Sequence, residues 1–284
     1  MLNKLHQFFR RFGRRWLYLF LAIAIATTSA LGTPQPSYGS SWVELLFRGV
    51  QVIQLSNVSD EQEVKLGKQI NQELVGTGKI RLLQNAALNN YLNQIGQRLA
   101  KTSERPNIPY TFQIVNDKKI NAFATMGGFV YLHKGLIQRA DNEAELASVV
   151  AHEIGHIAAR HAIEQMRETA ISQGLLSAAG LDRETLVNIG VQLAFSLPNS
   201  REDELEADQK GLANLRKAGY APSAMVSFMK KLLQQRGSVP TFLSTHPAVS
   251  DRVVALEKAI DSKTANVGDG LDSQAYKNRI RAAR

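Results

Sequence analysis

The chain has 284 residues, 44% of them apolar and 21% charged, with no cysteine and a formal charge of +9. That balance suits an ordinary globular core and argues against a disordered, collagen-like or repeat protein. Without cysteine there is no disulfide framework, thiolate metal site or sulfur nucleophile, so any metal must be held by His, Asp or Glu.

Five of the positive charges, Lys4, Arg10, Arg11, Arg14 and Arg15, precede the first acidic residue, Glu44. They stand before an uncharged run from Trp16 to Leu31 and a small, Pro-containing stretch. This layout predicts an export signal over 1–39, cleaved or kept as an N-terminal anchor. The remaining charge is mixed along the chain, which predicts no nucleic-acid partner. Trp42 to Leu55 is apolar without a clear period.

Ser59 and the acidic residues after it predict a helix start, with Val64, Ile70 and Leu74 behind. Leu88, Leu92, Ile95 and Leu99 predict a second helix over Ala86 to Leu99. After Pro106 and Pro109, Tyr110 to Val115 alternates as a strand, and a second strand follows the Gly127-Gly128 turn over 128–132. A long helix then runs from Asp141 to Glu168. The apolar stretch from Thr169 to Leu197, interrupted by Gly174 and Gly180, is read either as a helical hairpin covering a site or touching a membrane surface, or as core. Helices are expected at 200–218, 223–235 and 250–260, followed by a flexible basic tail over 263–284.

The long helix carries His152-Glu153-Ile154-Gly155-His156, the HExxH pattern. Residues four apart lie one turn apart on the same helix face, so two imidazoles can bind one ion and Glu153 stands beside it. Zinc with three protein ligands keeps a position for water, and a nearby carboxylate can take that water's proton. His161 lies five residues past His156, rotated off this face, and is read as packing or hydrogen bonding. Downstream, Glu204 and Asp208 sit one turn apart. Glu204 can be the third ligand with Asp208 accepting the free N–H of a ligating imidazole; alternatively both belong to an acidic, solvated helix start, as Glu202, Asp203 and Glu206 do.

The HEIGH helix, the segment NAFATMGGFVYLHKGL at 121–136, SREDELEAD and THPAVSDR together resemble the gluzincin peptidases that include HtpX, the CAAX prenyl endopeptidases and BepA. The resemblance spans about Ser59 to Ile260 and implies an α+β, mainly α, zinc metallopeptidase domain over 40–262, with a small β-sheet beside the HExxH helix. It assigns the third zinc ligand to Glu204 and the outer role to Asp208. It also implies that Gly127, Gly128, Phe129, Val130 and Tyr131 form an edge strand to which a substrate backbone adds. His246 resembles a residue lying near the metal in such relatives, where it either occupies the open zinc position in a latent state or donates to the oxyanion. Arg252 is a weaker candidate, which can equally pair with an acidic surface group. The implied function is a zinc endopeptidase acting on damaged or unassembled envelope proteins, with possible peripheral membrane contact. The rival reading is a zinc-containing, chaperone-like binding protein kept latent by His246.

Overall fold

A computed structural model of the chain describes residues 55–175, 180–196, 199–235, 239–247 and 249–281. The export segment over 1–39 and the apolar stretch over 42–54 lie outside the described residues. The described fold is α+β and mostly helical, with one three-stranded sheet.

Helix α1 (Asp60–Gly76) starts as its sequence predicts: the Ser59 side chain accepts from the Gln62 N–H and Gln62 returns a bond to the Ser59 N–H, a reciprocal cap. Helix α2 (Ala86–Ala100) buries Leu88, Leu92, Ile95 and Leu99 on one face. The strands are β1 (Thr111–Val115), β2 (Ala122–Thr125) and β3 (Phe129–His133), in the order β1-β3-β2. β1 runs parallel to β3, with Phe112 opposite Val130. β2 runs antiparallel to it, with Phe123 opposite Tyr131.

The expected edge strand is therefore the middle one. Phe129, Val130, Tyr131 and Leu132 are all buried because the two faces of β3 serve two cores. Val130 and Leu132 face the larger core, shared with α2 and the helices downstream, while Phe129 and Tyr131 face the smaller one, shared with α1. The edge on the other side of β3 belongs to β2, a four-residue strand too short to leave a periodic signal.

After a short α3 (Lys134–Arg139) comes α4 (Glu143–Ala159), capped by the Asn142 side chain on the Glu145 N–H. It is buried on every side from Ala144 to Ile157, as befits a central helix. The continuous helix expected to Glu168 breaks at Arg160, a non-glycine residue at φ 62° that starts α5 (His161–Ser172). Tertiary bonds hold that turn: the Arg160 guanidinium donates to the Val58 carbonyl at 2.5 Å and pairs with Glu63 at 3.2 Å.

Helix α6 (Arg183–Ser196) buries Leu186, Ile189 and Val191 in the smaller core with Met166 and Ala170 of α5. Among the described residues of the 169–197 region the inner face is thus core, while Ile171, Leu175 and Phe195 are exposed. Among the described residues no helix is long and apolar enough to cross a membrane.

Helix α7 (Arg201–Lys217) lies against α4, and two glycines permit the approach. A Cβ on Gly155 would stand 2.5 Å from the Ala207 carbonyl oxygen, and one on Gly211 would stand 3.0 Å from the His152 backbone. Helices α8 (Ser223–Leu233), α9 (Thr241–Thr245) and α10 (Val249–Ala259) complete the larger core.

The described part of the segment after Ser262, expected to be a flexible tail, is largely exposed but docks on the domain through a few residues. Its helix α11 (Ser273–Arg279) buries Tyr276, whose hydroxyl donates to the Ile137 carbonyl at 2.6 Å, and Ile280 is buried beyond it. Asp269 pairs with Arg98 at 2.6 Å. Sparse apolar residues in a basic run hid this docking.

Candidate metal centre

The close α4–α7 contact places the Glu204 carboxylate opposite the two histidines of α4. Ligand atoms of His152, His156, Glu204 and His246, all buried, lie within 4.8 Å of one another. His152 Nε2 and His156 Nε2 are 3.0 Å apart, and the Glu204 oxygens stand 3.4 and 3.3 Å from them. The structure thus brings together the three residues expected as ligands and adds His246 as a fourth.

The outer bonds set the ring tautomers. His152 Nδ1 lies 2.9 Å from Asp208 Oδ1, so its N–H donates to that carboxylate. His156 Nδ1 lies 2.8 Å from His161 Nδ1, and His161 Nε2 lies 3.3 Å from Glu206. The assignment satisfying this chain has His156 donating to His161 and His161 donating to Glu206. His161 thus points away from the cluster, as its spacing predicts, but orients His156 from behind. With both rings neutral, the two Nε2 atoms present lone pairs to each other and to Glu204. Acceptors converging in a dry site repel unless a positive charge lies among them, a proton on His152 or a metal ion, so the donor set fits a metal ion.

Arg252 is fully buried, and the expectation of a surface partner fails. Its guanidinium donates to both Asp208 oxygens at 2.6 and 2.7 Å, to the His246 carbonyl at 3.3 Å, and pairs with Glu204. Asn199, which the sequence left unremarked, donates to Glu204 Oε1 at 2.6 Å while Gln165 donates to its Oδ1 at 2.5 Å. No motif announces either role; an arginine six residues after His246 was the available signal.

His246 reaches the cluster from the loop after α9. Its Nδ1 is 2.9 Å from Glu204 Oε1 and 3.2 Å from His152 Nε2, while Nε2 is 3.4 Å from the Ala122 carbonyl and 3.5 Å from Glu153. Asp208, like Glu204, is buried rather than on a solvated helix start. Glu153 is 1% exposed, and neither of its oxygens has a protein hydrogen-bond partner.

Electrostatics follow from this geometry. Burial raises the Glu153 pKa above the carboxylate range, against the pull of His246 and His152. Burial and Arg252 oppose a proton on His152, but Asp208 and Glu204 outweigh them and lift it to about 9. For His156 burial wins, and the pKa falls to about 3. Burial penalises the charge on Asp208, yet Arg252 and His152 hold that carboxyl below its ordinary value.

The cluster opens into a cleft continuous with solvent and lined by Glu153, His156, His246 and Phe123, Ala124 and Thr125 of β2. Of the segment expected to bind a substrate strand, Tyr131 is completely buried and stacked on Phe123, and Phe129 and Val130 are buried in the two cores. Gly127 and Gly128, also buried, lead from β2 into β3.

Residues 86–260 match the model of Peptidase family M48. The chain is 31% identical over 249 residues to the beta-barrel assembly-enhancing protease of Escherichia coli strain K12, covering 82% of this chain and 50% of that one. It is 28% identical over 244 residues to the metalloprotease LoiP of the same organism, covering 82% and 92%. Against the mitochondrial metalloendopeptidase OMA1 of Arabidopsis thaliana it is 35% identical over 164 residues, covering 56% and 33%. The chain thus spans about half the length of the assembly-enhancing relative.

Proposed function

We propose, from the premise that the chain belongs to Peptidase family M48, that it is a zinc-dependent endopeptidase. The observation that carries this reading is the buried cluster of His152, His156 and Glu204 beside a Glu153 whose oxygens have no protein hydrogen-bond partner. His152, His156 and Glu204 would hold Zn²⁺, which when bound supplies Lewis acidity to a peptide carbonyl and a water. Glu153, buried and without a hydrogen-bond partner in the protein, takes the proton of the attacking water. As the C–N bond breaks, Glu153 passes the proton to the departing amine nitrogen. Asp208 and His161 fix the two imidazoles, and Arg252 and Asn199 fix Glu204. An extended substrate lies along β2, the edge strand beside the cleft, rather than along Phe129–Tyr131.

The substrates are damaged or unassembled envelope proteins, with the chain exported and in peripheral contact with a membrane. Support comes from the basic and apolar N-terminal layout and from the name of the assembly-enhancing relative. A second reading, latency, is favoured by His246 Nδ1 standing among the ligand atoms. If the His246 Nε2–H faces Glu153 or the Ala122 carbonyl, Nδ1 is free to ligate; if Nδ1 carries the proton, it donates to Glu204 and cannot ligate, and an oxyanion role then needs a proton on Nε2 as well.

The test is casein cleavage by the zinc-loaded chain, its Glu153→Gln form and its His246→Ala form. Glu153→Gln should retain the metal and lose roughly 10²–10⁴ in rate. Cleavage that persists in Glu153→Gln sinks the mechanism. Higher activity in His246→Ala supports latency; lower activity supports the oxyanion role.

A further inference from the structure

We propose that the Asn199 side-chain amide donates a hydrogen bond to the oxygen of the scissile carbonyl as that oxygen gains negative charge, a catalytic role separate from its hold on Glu204. The inference rests on the endopeptidase reading and adds to it a residue outside both the HExxH turn and the acidic pair of α7.

Asn199 stands immediately before Ser200, whose side chain caps α7. Its backbone N–H donates to the Thr245 carbonyl at 3.1 Å, so the chain enters α7 alongside the loop that carries His246. The side chain lines the same cleft as Glu153, His156 and His246. Gln165 of α5 fixes which way it faces. The Gln165 amide donates to Asn199 Oδ1 at 2.5 Å, which leaves Asn199 Nδ2 turned to Glu204 Oε1 at 2.6 Å. The opposite orientation would set two acceptor oxygens 2.6 Å apart, so the network itself decides it.

An amide nitrogen carries two protons, and Glu204 Oε1 takes one of them. Three other atoms lie near Nδ2: His246 Nδ1 at 3.3 Å, His156 Nε2 at 3.5 Å and the Thr245 carbonyl at 3.5 Å. His156 Nε2 gives its lone pair to a bound metal, and His246 Nδ1 has none to offer when it ligates or carries a proton. The Thr245 carbonyl already accepts the Asn199 backbone N–H and lies at the outer limit of a hydrogen bond from Nδ2. The second N–H is therefore a donor without a firm acceptor in the protein, held within 3.5 Å of two candidate ligand atoms on a residue that lines the cleft. Arg252, by contrast, is committed to Asp208, Glu204 and the His246 carbonyl. A donor whose direction is fixed before the substrate arrives stabilises the charge that develops beside it, and Gln165 supplies that fixing.

The experiment uses the full chain loaded with Zn²⁺ and two peptide probes of one sequence, a phosphinic peptide and a peptide thiol, with affinities read by calorimetry. Phosphinic oxygens are charged acceptors, whereas sulfur accepts weakly. Asn199→Ala should weaken the phosphinic probe about 10- to 100-fold and the thiol probe less than about twofold. Casein turnover should fall about 10²-fold in kcat, with KM held within about twofold. Equal weakening of both probes, unchanged phosphinic affinity, or no phosphinic binding by the parent chain would overturn the proposal. Should Asn199→Ala fail to hold zinc, Gln165→Ala decides: it frees the amide but leaves the Glu204 bond, and should weaken the phosphinic probe severalfold while sparing the thiol. No change in Gln165→Ala would then count against the donor. A chain whose phosphinic affinity depends on Asn199 but which cuts no casein keeps the donor and loses the endopeptidase reading. A chain that cuts casein at full kcat in Asn199→Ala does the reverse.

Discussion

Two buried charge clusters flank the C-terminal half of α4, and they differ in how completely protein satisfies them. In one, Glu63 is 1% exposed and bonded to Arg105 at 2.8 Å, to Arg160 at 3.2 Å and to the Gly127 N–H at 3.2 Å. Arg105 in turn donates to the Ile157 carbonyl near the end of α4. Each opposite charge there is paired within the protein, although Arg160 is partly exposed and its Nε is unpaired, and the cluster pins α1, α4 and the turn before β3 together. In the other, neither Glu153 oxygen has a hydrogen-bond partner, the nearest basic group being His246 Nε2 at 3.5 Å, and the Nε2 atoms of two imidazoles face each other and a carboxylate. The lesson is that burial alone does not mark function. A dry cluster that closes on itself holds the fold, whereas one that leaves acceptors facing one another is built around something else.

The difference can be broken from either side. The largest effect is expected for Glu63→Ala, which takes the buried carboxylate from Arg105, Arg160 and the Gly127 N–H while Asp60 and the Ile157 and Val58 carbonyls remain: chemical denaturation should show a loss of about 2 kcal/mol. Zinc affinity of the folded fraction should stay within a factor of a few. If this variant loses zinc without losing stability, the two clusters are not functionally separate.

Asp208→Asn probes the opposite side. It removes the charge that orients His152 and answers Arg252, and should weaken zinc binding by about 10- to 100-fold in chelator competition. An unchanged affinity would reduce Asp208 to a packing role.

The smallest effect is in pH. His152 is raised from its ordinary 6.5 to about 9, so in the metal-free chain its proton is present at neutral pH and leaves as pH rises through about 9. The stability contributed by that protonated pair is complete below about 6.5 and lost across the window up to about 9. Because the metal displaces this proton, zinc binding at pH 7.5 should release about one proton, read as a buffer-dependent calorimetric enthalpy. The release should vanish above pH 9. Binding without proton release would contradict the raised pKa of His152.

The boundary between legible and hidden features follows the range of the interactions involved. The capping box at Ser59, the faces of α2 and the HExxH turn depend on residues three or four apart, which a one-dimensional pattern displays. The αL break at Arg160 depends on Val58 and Glu63, about a hundred residues away, and the periodicity runs straight through it. The middle position of β3 depended on pairing with a four-residue strand, and the docking of Tyr276 on a carbonyl 139 residues distant.

At the centre itself, the chain's order of residues determined that His152 and His156 share a helix face beside Glu153, and that Glu204 and Asp208 are one turn apart. Only the tertiary structure decided that these two helices meet, because the meeting turns on Gly155 and Gly211 lying opposite backbone that tolerates no Cβ. Only it could show Arg252 as a buried partner rather than a surface charge, His161 as the support behind His156, and His246 among the ligand atoms. The physical reason is the same in each case. Helical spacing is set by local hydrogen bonds, whereas the burial of a charge is set by whichever distant segment excludes the water around it.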